Sequence, residues 1–276
     1  PSSFVEFLDL IEPLTNPPNP EDAFHVVCPS LPGYGFSGKP ETTGWGTQKI
    51  ASTWDELMRR LGYESYLAQG GDWGAIITQS MGVTETAHCA GIHITMPIVT
   101  PDPATLDDLT DTEKQALADM ANYRSVESAY ARQQSTRPQT LGYGLADSPV
   151  GQMAWIVEKF YAWTDCEVDG VKHPENVISR DELLDNVMCY WLNNCGASSG
   201  RLYWESFSSG ELPPIEMPVG SSIFPRELFR CSRRWAEKRF RHIIYWNELD
   251  RGGHFAALER PDVLVQEIRD CFRSLR

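Results

Sequence analysis

Long hydrophobic runs are missing from this 276-residue chain. No stretch approaches the roughly 20 apolar residues that a membrane-spanning helix needs. Positive charge is also scarce: 24 Lys and Arg stand against 38 Asp and Glu, a formal net charge of −14. That balance argues against nucleic acid or an anionic membrane surface as a partner. Cysteine is sparse and unpatterned. Cys28, Cys89, Cys166, Cys189, Cys195, Cys231 and Cys271 include no CxxC pair, which favours free thiols in a reducing compartment over a disulfide framework or a zinc site. No signal peptide, internal repeat or low-complexity tract is visible in the chain, and a cytoplasmic location is expected, with a membrane anchor upstream left open. There is no initiator Met, so the start at Pro1-Ser2-Ser3-Phe4 reads as part of a longer or processed chain. What is present is 41% hydrophobic residues with nine Trp and ten Tyr, enough for a sizeable core. The length fits one large α/β domain or a domain with an inserted lid.

The most informative stretch is Gly70-Gly71-Asp72-Trp73-Gly74. Tyr66, Leu67 and Ala68 before it read as a buried strand, and Ala75 to Met81 after it as a helix. An abrupt strand-to-helix turn calls for flanking glycines, because the backbone passes close to itself, and it pushes the apex residue out over the helix N-terminus. Gly-Gly-Asp is also ordinary loop punctuation, so the rest of the chain has to decide. Phe24 to Cys28 reads as a buried strand bounded by prolines. Ile50, Trp54, Leu57, Met58 and Leu61 recur at helical spacing up to Gly62. Cys89 to Thr95 reads as a strand. From Pro97 to Phe207 the pattern is helices and loops with no convincing strand, including aromatic-rich helices around Trp155, Phe160 and Trp163 and around Tyr190 and Trp191. Strands resume over Pro218–Phe224 and His242–Trp246, and a helix closes the chain over Val263–Leu275.

This alternation implies a mostly parallel sheet flanked by helices, interrupted by a helical lid. The expected division is a first core part at 1–97, a helical cap at 98–208 and a second core part at 209–276. His254 sits on the loop Arg251-Gly252-Gly253-His254-Phe255 after the last expected strand, at the sheet edge where catalytic groups gather. A lone loop His has blander uses, such as capping. Its position nevertheless matches a chain order of nucleophile, acid and His, and Glu227 lies just beyond the preceding strand, where the acid belongs.

Together these motifs resemble the epoxide hydrolases of the α/β-hydrolase fold, of the microsomal and fungal type. The resemblance rests on Phe4-Val5-Glu6-Phe7, Pro32-Gly33-Tyr34-Gly35-Phe36-Ser37, Gly71-Asp72-Trp73-Gly74, Ser135-Thr136-Arg137-Pro138, Asp147-Ser148-Pro149-Val150-Gly151 and Gly252 to Glu259. It implies Asp72 as nucleophile, Glu227 as charge-relay acid and His254 as general base. It also implies Tyr130 and Tyr203 as proton donors to the epoxide oxygen and the Trp73 backbone N–H as an oxyanion donor. Without the resemblance, both tyrosines read as packing residues.

The implied reaction turns a small lipophilic epoxide and water into a vicinal diol, through an aspartyl ester that a His-activated water hydrolyses. Aspartate is already an anion at neutral pH and needs no base to activate it, whereas a phenol is still protonated and can donate. The reading calls for no metal and no organic cofactor, and leaves a homodimer open. The family's His-Gly-X-Pro loop, which supplies a second oxyanion donor, aligns at its proline with Pro1, so its other residues are expected upstream. Trp155, Phe160, Trp191 and Trp204 suggest a wide apolar pocket. A haloalkane dehalogenase shares the Asp nucleophile, the His and the fold, although the tyrosines argue against it. A non-catalytic lipophile-binding protein is the other alternative.

Overall fold

The computed structural model describes residues 1–84, 88–207 and 212–276. Strands β1 (Tyr66–Gly70), β2 (Cys89–Ile94), β5 (Ile215–Ile223) and β6 (Phe240–Glu248) form one sheet, and β3 (Glu167–Val168) pairs with β4 (Val171–Lys172). The helices are α1 (Leu8–Thr15), α2 (Thr47–Arg60), α3 (Asp72–Met81), α4 (Asp111–Asn122), α5 (Ala129–Thr136) and α6 (Pro138–Asp147). They continue with α7 (Pro149–Trp163), α8 (Arg180–Trp191), α9 (Gly196–Ser206), α10 (Arg233–Ala236), α11 (Ala256–Glu259) and α12 (Pro261–Phe272).

The four-stranded sheet runs β1-β2-β5-β6, every pair parallel. Parallel strands bring their C-terminal ends to one edge, so whatever follows Gly70, Ile223 and Glu248 emerges on the same side. Ile92, Ile94 and Val219 in β2 and β5 are fully buried, as expected of a sheet covered by helices. α3 packs against β1 and β2, which carry it in sequence on either side.

A polar strut crosses this core. His93 of β2 lies 2.8 Å through Nε2 from Ser222 Oγ of β5, Ser222 donates to Glu267 Oε2 of α12 at 2.6 Å, and Asn247 of β6 donates to Glu267 Oε1 at 2.8 Å. With the Ser222 proton committed to Glu267, His93 must be the Nε2–H tautomer. Burial pushes the His93 pKa down to about 3, so the ring is neutral. Three strands and a helix are thereby tied together by groups that an apolar core would leave free to slip.

Compactness divides the chain into two units. One comprises Thr47–Ala129, Ser208–His254 and Glu267–Arg276 and contains the sheet. The other comprises Pro1–Gly46, Tyr130–Phe207 and Phe255–Gln266 and is mainly helical. The helical insertion between β2 and β5 is therefore shared: α4 belongs with the sheet, while α6 to α9 belong with the N-terminal segment. In that second unit the loop of Pro32 to Ser37 is fastened to α9, with Ser198 donating to the Gly33 carbonyl at 2.6 Å and Tyr34 to the Ser199 carbonyl at 2.8 Å.

Two expectations from sequence need correction. Phe24–Cys28 is neither buried nor a ladder strand: its residues are exposed or half-buried and none belongs to a described strand. β-branched residues favour extended backbone, but only a partner strand makes it a ladder. Conversely, the segment between Pro97 and Phe207 does contain a short hairpin, β3–β4. Its turn is Asp169-Gly170 with φ of +50° and +76°, the paired left-handed conformation that Asp-Gly supplies in two-residue hairpins.

The sheet also depends on close approach. A Cβ at Gly220 of β5 would lie 2.1 Å from Cys271 Sγ of α12 and 3.2 Å from Tyr245 Cβ. Gly220→Ala is expected to cost about 1–3 kcal/mol through overpacking, measured by urea denaturation. In a Cys271→Ala background the same substitution should cost clearly less, and equal losses in both backgrounds would rule out that contact as the cause.

Candidate active site

Asp72 opens α3 directly after β1, with φ of +46°. This left-handed conformation is tolerated by Asp better than by most residues and still costs on the order of 1–3 kcal/mol when forced by its surroundings. The turn is crowded at Gly70, where a Cβ would come within 2.3 Å of the Gly74 backbone. Gly74 itself has open space around it, so of the two glycines it is Gly70 whose missing side chain the turn demands. The Trp73 N–H donates to Asp72 Oδ1 at 2.7 Å. The helix N-terminus adds its own favourable potential for an anion.

Glu227 follows β5 and His254 follows β6. Their loops are joined by backbone, since the Arg226 N–H donates to the Gly252 carbonyl at 3.1 Å and Arg226 bridges Gly253 in parallel. Gly252 takes φ of +109°, a region closed to side-chain-bearing residues, and so lets the chain turn His254 inward. His254 then lies 2.7 Å through Nδ1 from Glu227 Oε1 and 2.9 Å through Nε2 from Asp72 Oδ2. The Leu228 N–H donates to the same Glu227 oxygen at 2.6 Å.

The electrostatics follow from burial and contact. Burial by itself disfavours the imidazolium. The Glu227 carboxylate and the hydrogen bonds and charge of Asp72 outweigh it, raising the His254 pKa from 6.5 to about 10. Burial would likewise raise the Asp72 carboxyl, but His254 and the Trp73 N–H hold it well below the usual carboxylate range. The resting arrangement is thus an imidazolium between two carboxylates, with both ring nitrogens donating. Side-chain exposure separates the two anions: Glu227 is fully enclosed, whereas Asp72 keeps 34% of its side chain open and can meet a substrate.

Tyr130 and Tyr203 are both buried and lie edge to face, with ring centroids 5.8 Å apart. The structure therefore brings the five candidate side chains together as two groups, Asp72 with Glu227 and His254, and Tyr130 with Tyr203. Sequence reasoning passed over Lys159. Its ammonium lies 4.7 Å from the Tyr130 ring centroid and 2.8 Å from Glu158 Oε1. The contact is a cation–π interaction with the ring face. The signal was available: Lys159 falls on the buried stripe Ile156, Lys159, Phe160 and Trp163 of α7. Of the aromatics expected to line a pocket, Phe160 is instead consumed in the core, stacked on Phe255 at 4.0 Å. Trp204 is half exposed and borders a cleft of about 330 Å³ with Trp45, Leu202 and Pro138. Among the described residues no three His, Cys, Asp or Glu side chains converge as a metal would need, and no helix is long and apolar enough to cross a membrane.

Comparison with known proteins places the chain in a family. The profile of the alpha/beta hydrolase fold family matches residues 2–139. A Stigmatella aurantiaca protein, named provisionally as an epoxide hydrolase, is 52% identical over the whole chain. Epoxide hydrolase 1 of Sus scrofa is 36% identical over 98% of it. The chain spans 63% and 65% of the lengths of these two relatives. The solved structure of Aspergillus niger epoxide hydrolase superposes with a TM-score of 0.87 at 32% identity, covering 100% of this chain and 70% of that one.

The raised pKa of His254 has a consequence for stability. A group whose pKa is raised on folding stabilises the fold fully below its unfolded value, and that contribution is lost as pH climbs through the folded value. His254 is therefore expected to contribute fully below pH 6.5 and progressively less toward pH 10. Thermal unfolding midpoints across this window should fall in the parent and fall less in His254→Gln. Identical slopes would exclude His254 as the source.

Proposed function

Since this chain belongs to the α/β-hydrolase fold family, we propose that it is an epoxide hydrolase, with Asp72 as nucleophile, Glu227 as acid and His254 as base. The observation that carries the reading is the continuous chain Glu227–His254–Asp72, linked at 2.7 and 2.9 Å across the ends of three parallel strands. The expected cap at 98–208 belongs to the same proposal, as the segment that carries the tyrosines. Substrate and co-substrate are a small lipophilic epoxide and water.

In the first half-reaction Asp72 Oδ2 attacks an epoxide carbon and the carbon–oxygen bond breaks. The leaving alkoxide takes a proton from the Tyr130 or Tyr203 hydroxyl, giving a hydroxy ester of Asp72. This reading is supported by the Trp73 N–H at Oδ1, the oxygen that would become the ester carbonyl.

Esterification removes the negative charge of Asp72, one of the two anions that raise the His254 pKa. The imidazolium becomes a stronger acid, and its released proton restores the phenol. Neutral Nε2 then accepts a proton from water as that water attacks the ester carbonyl. The Trp73 N–H stabilises the oxyanion that forms. Collapse expels the diol oxygen, which takes the proton back from His254, and the Asp72 carboxylic acid so formed passes its remaining proton to Nε2, restoring the carboxylate and the imidazolium. Glu227 stabilises the imidazolium at each stage at which it exists. One water and one epoxide are consumed per diol.

Diol formation from an aryl epoxide tests the reading, with chlorinated and brominated alkanes as competing substrates. Asp72→Asn should yield no diol. His254→Gln should form the ester and hydrolyse it more slowly by about 10²- to 10⁴-fold, the usual contribution of a general base. A Tyr130→Phe/Tyr203→Phe double variant should slow ring opening by a factor of similar order. Full activity in Asp72→Ala would sink the mechanism, and halide release without diol formation would favour a dehalogenase.

A further inference from the structure

His254 is held on its N-terminal flank by the Arg226–Gly252 hydrogen bond. Its C-terminal flank is held by different means. Phe255, the next residue, donates its N–H to Glu259 Oε1 at 3.0 Å, while its carbonyl accepts from the Glu259 N–H at 2.9 Å. The other oxygen of the same carboxylate, Oε2, accepts the Asp165 N–H at 2.7 Å, just beyond the end of α7. The Phe255 ring lies nearly parallel to Phe160 of α7, at 4.0 Å and 16°, with Trp163 beyond at 6.3 Å. Glu259 is only 8% exposed. Burying a carboxylate is costly unless its oxygens are satisfied, and here each oxygen accepts a separate backbone N–H.

We propose that Glu259 is a positioning residue for the base: its carboxylate fastens the backbone directly after His254 to the end of α7 and so sets the aim of the imidazole during ester hydrolysis. The proposal rests on the epoxide hydrolase reading. It is specific to one half-reaction. Ring opening needs Asp72 as an anion, and an imidazolium slightly out of place still supplies that charge. Water activation needs Nε2 within hydrogen-bond reach of a water aimed at the ester carbonyl, and a displacement of about 1 Å there costs on the order of 10²-fold.

Glu259→Gln separates the two. A carboxamide has one acceptor oxygen in place of two, so one of the two N–H groups loses its partner. Single-turnover experiments with an aryl epoxide, quenched and read by mass spectrometry of the Asp72 peptide, give ester formation and ester decay separately. The expected result is unchanged ester formation, decay slowed on the order of 10²-fold, and accumulated ester in the steady state. Glu259→Asp keeps both acceptor oxygens and should recover part of the decay rate. Phe160→Leu loosens the same clamp through the ring stack and should shift the partition the same way, which serves if Glu259→Gln does not fold.

A merely structural Glu259 would lower the folded fraction and leave the ratio of formation to decay at the parent value in every folded variant, which overturns the proposal. A parent chain that forms no Asp72 ester overturns the epoxide hydrolase reading itself, and this inference with it.

Discussion

Keeping a carboxylate charged where a strand folds sharply into a helix requires compensation from several directions at once. Burial would neutralise Asp72, and the neighbouring strand ends are filled with apolar side chains. The Trp73 N–H, the start of α3 and the His254 imidazolium together reverse that preference. The imidazolium would be equally unfavourable alone, and Glu227 at 2.7 Å offsets its desolvation. Much of the surrounding backbone exists to bring these groups into range: the close approach at Gly70, the turn at Gly252 and the bridge between Arg226 and Gly253.

The same electrostatics make the proposed reaction cycle self-timing. While Asp72 is an anion, His254 is protonated and cannot act as a base. Once Asp72 is esterified, one of its two supporting charges has gone, and the imidazole becomes available when a water must be activated. The loss of one charge accomplishes the change.

The two units are held together internally by contrasting means. In the sheet unit, the strut of His93, Ser222, Glu267 and Asn247 sets the mutual register of β2, β5 and β6 through directional hydrogen bonds. In the helical unit, Phe255 is held by aromatic stacking and by a buried carboxylate on backbone N–H groups. The polar contacts remove the freedom that stacked rings alone would retain.

Much of the candidate site was legible in the residues because its signals are local. A glycine-flanked aspartate between a strand and a helix, and a histidine after Gly252-Gly253, announce tight turns through backbone conformation, and that chemistry does not depend on distant contacts. The mostly parallel sheet was legible for a similar reason, in the alternation of strand and helix periods. The hairpin at Asp169-Gly170 was equally local, though it stands inside a helical region. What only the tertiary structure decided depends on partners far apart in the chain. Phe24–Cys28 has strand-forming residues and no ladder, because pairing is a property of two segments. Lys159 and Glu259 look like surface charges until packing places one over the Tyr130 ring and the other beneath the Phe255 backbone. The sequence by itself determined which turns and periods the chain adopts. The three-dimensional fold decided which charges are buried and against what, since burial and long-range contact are absent from any local stretch of residues.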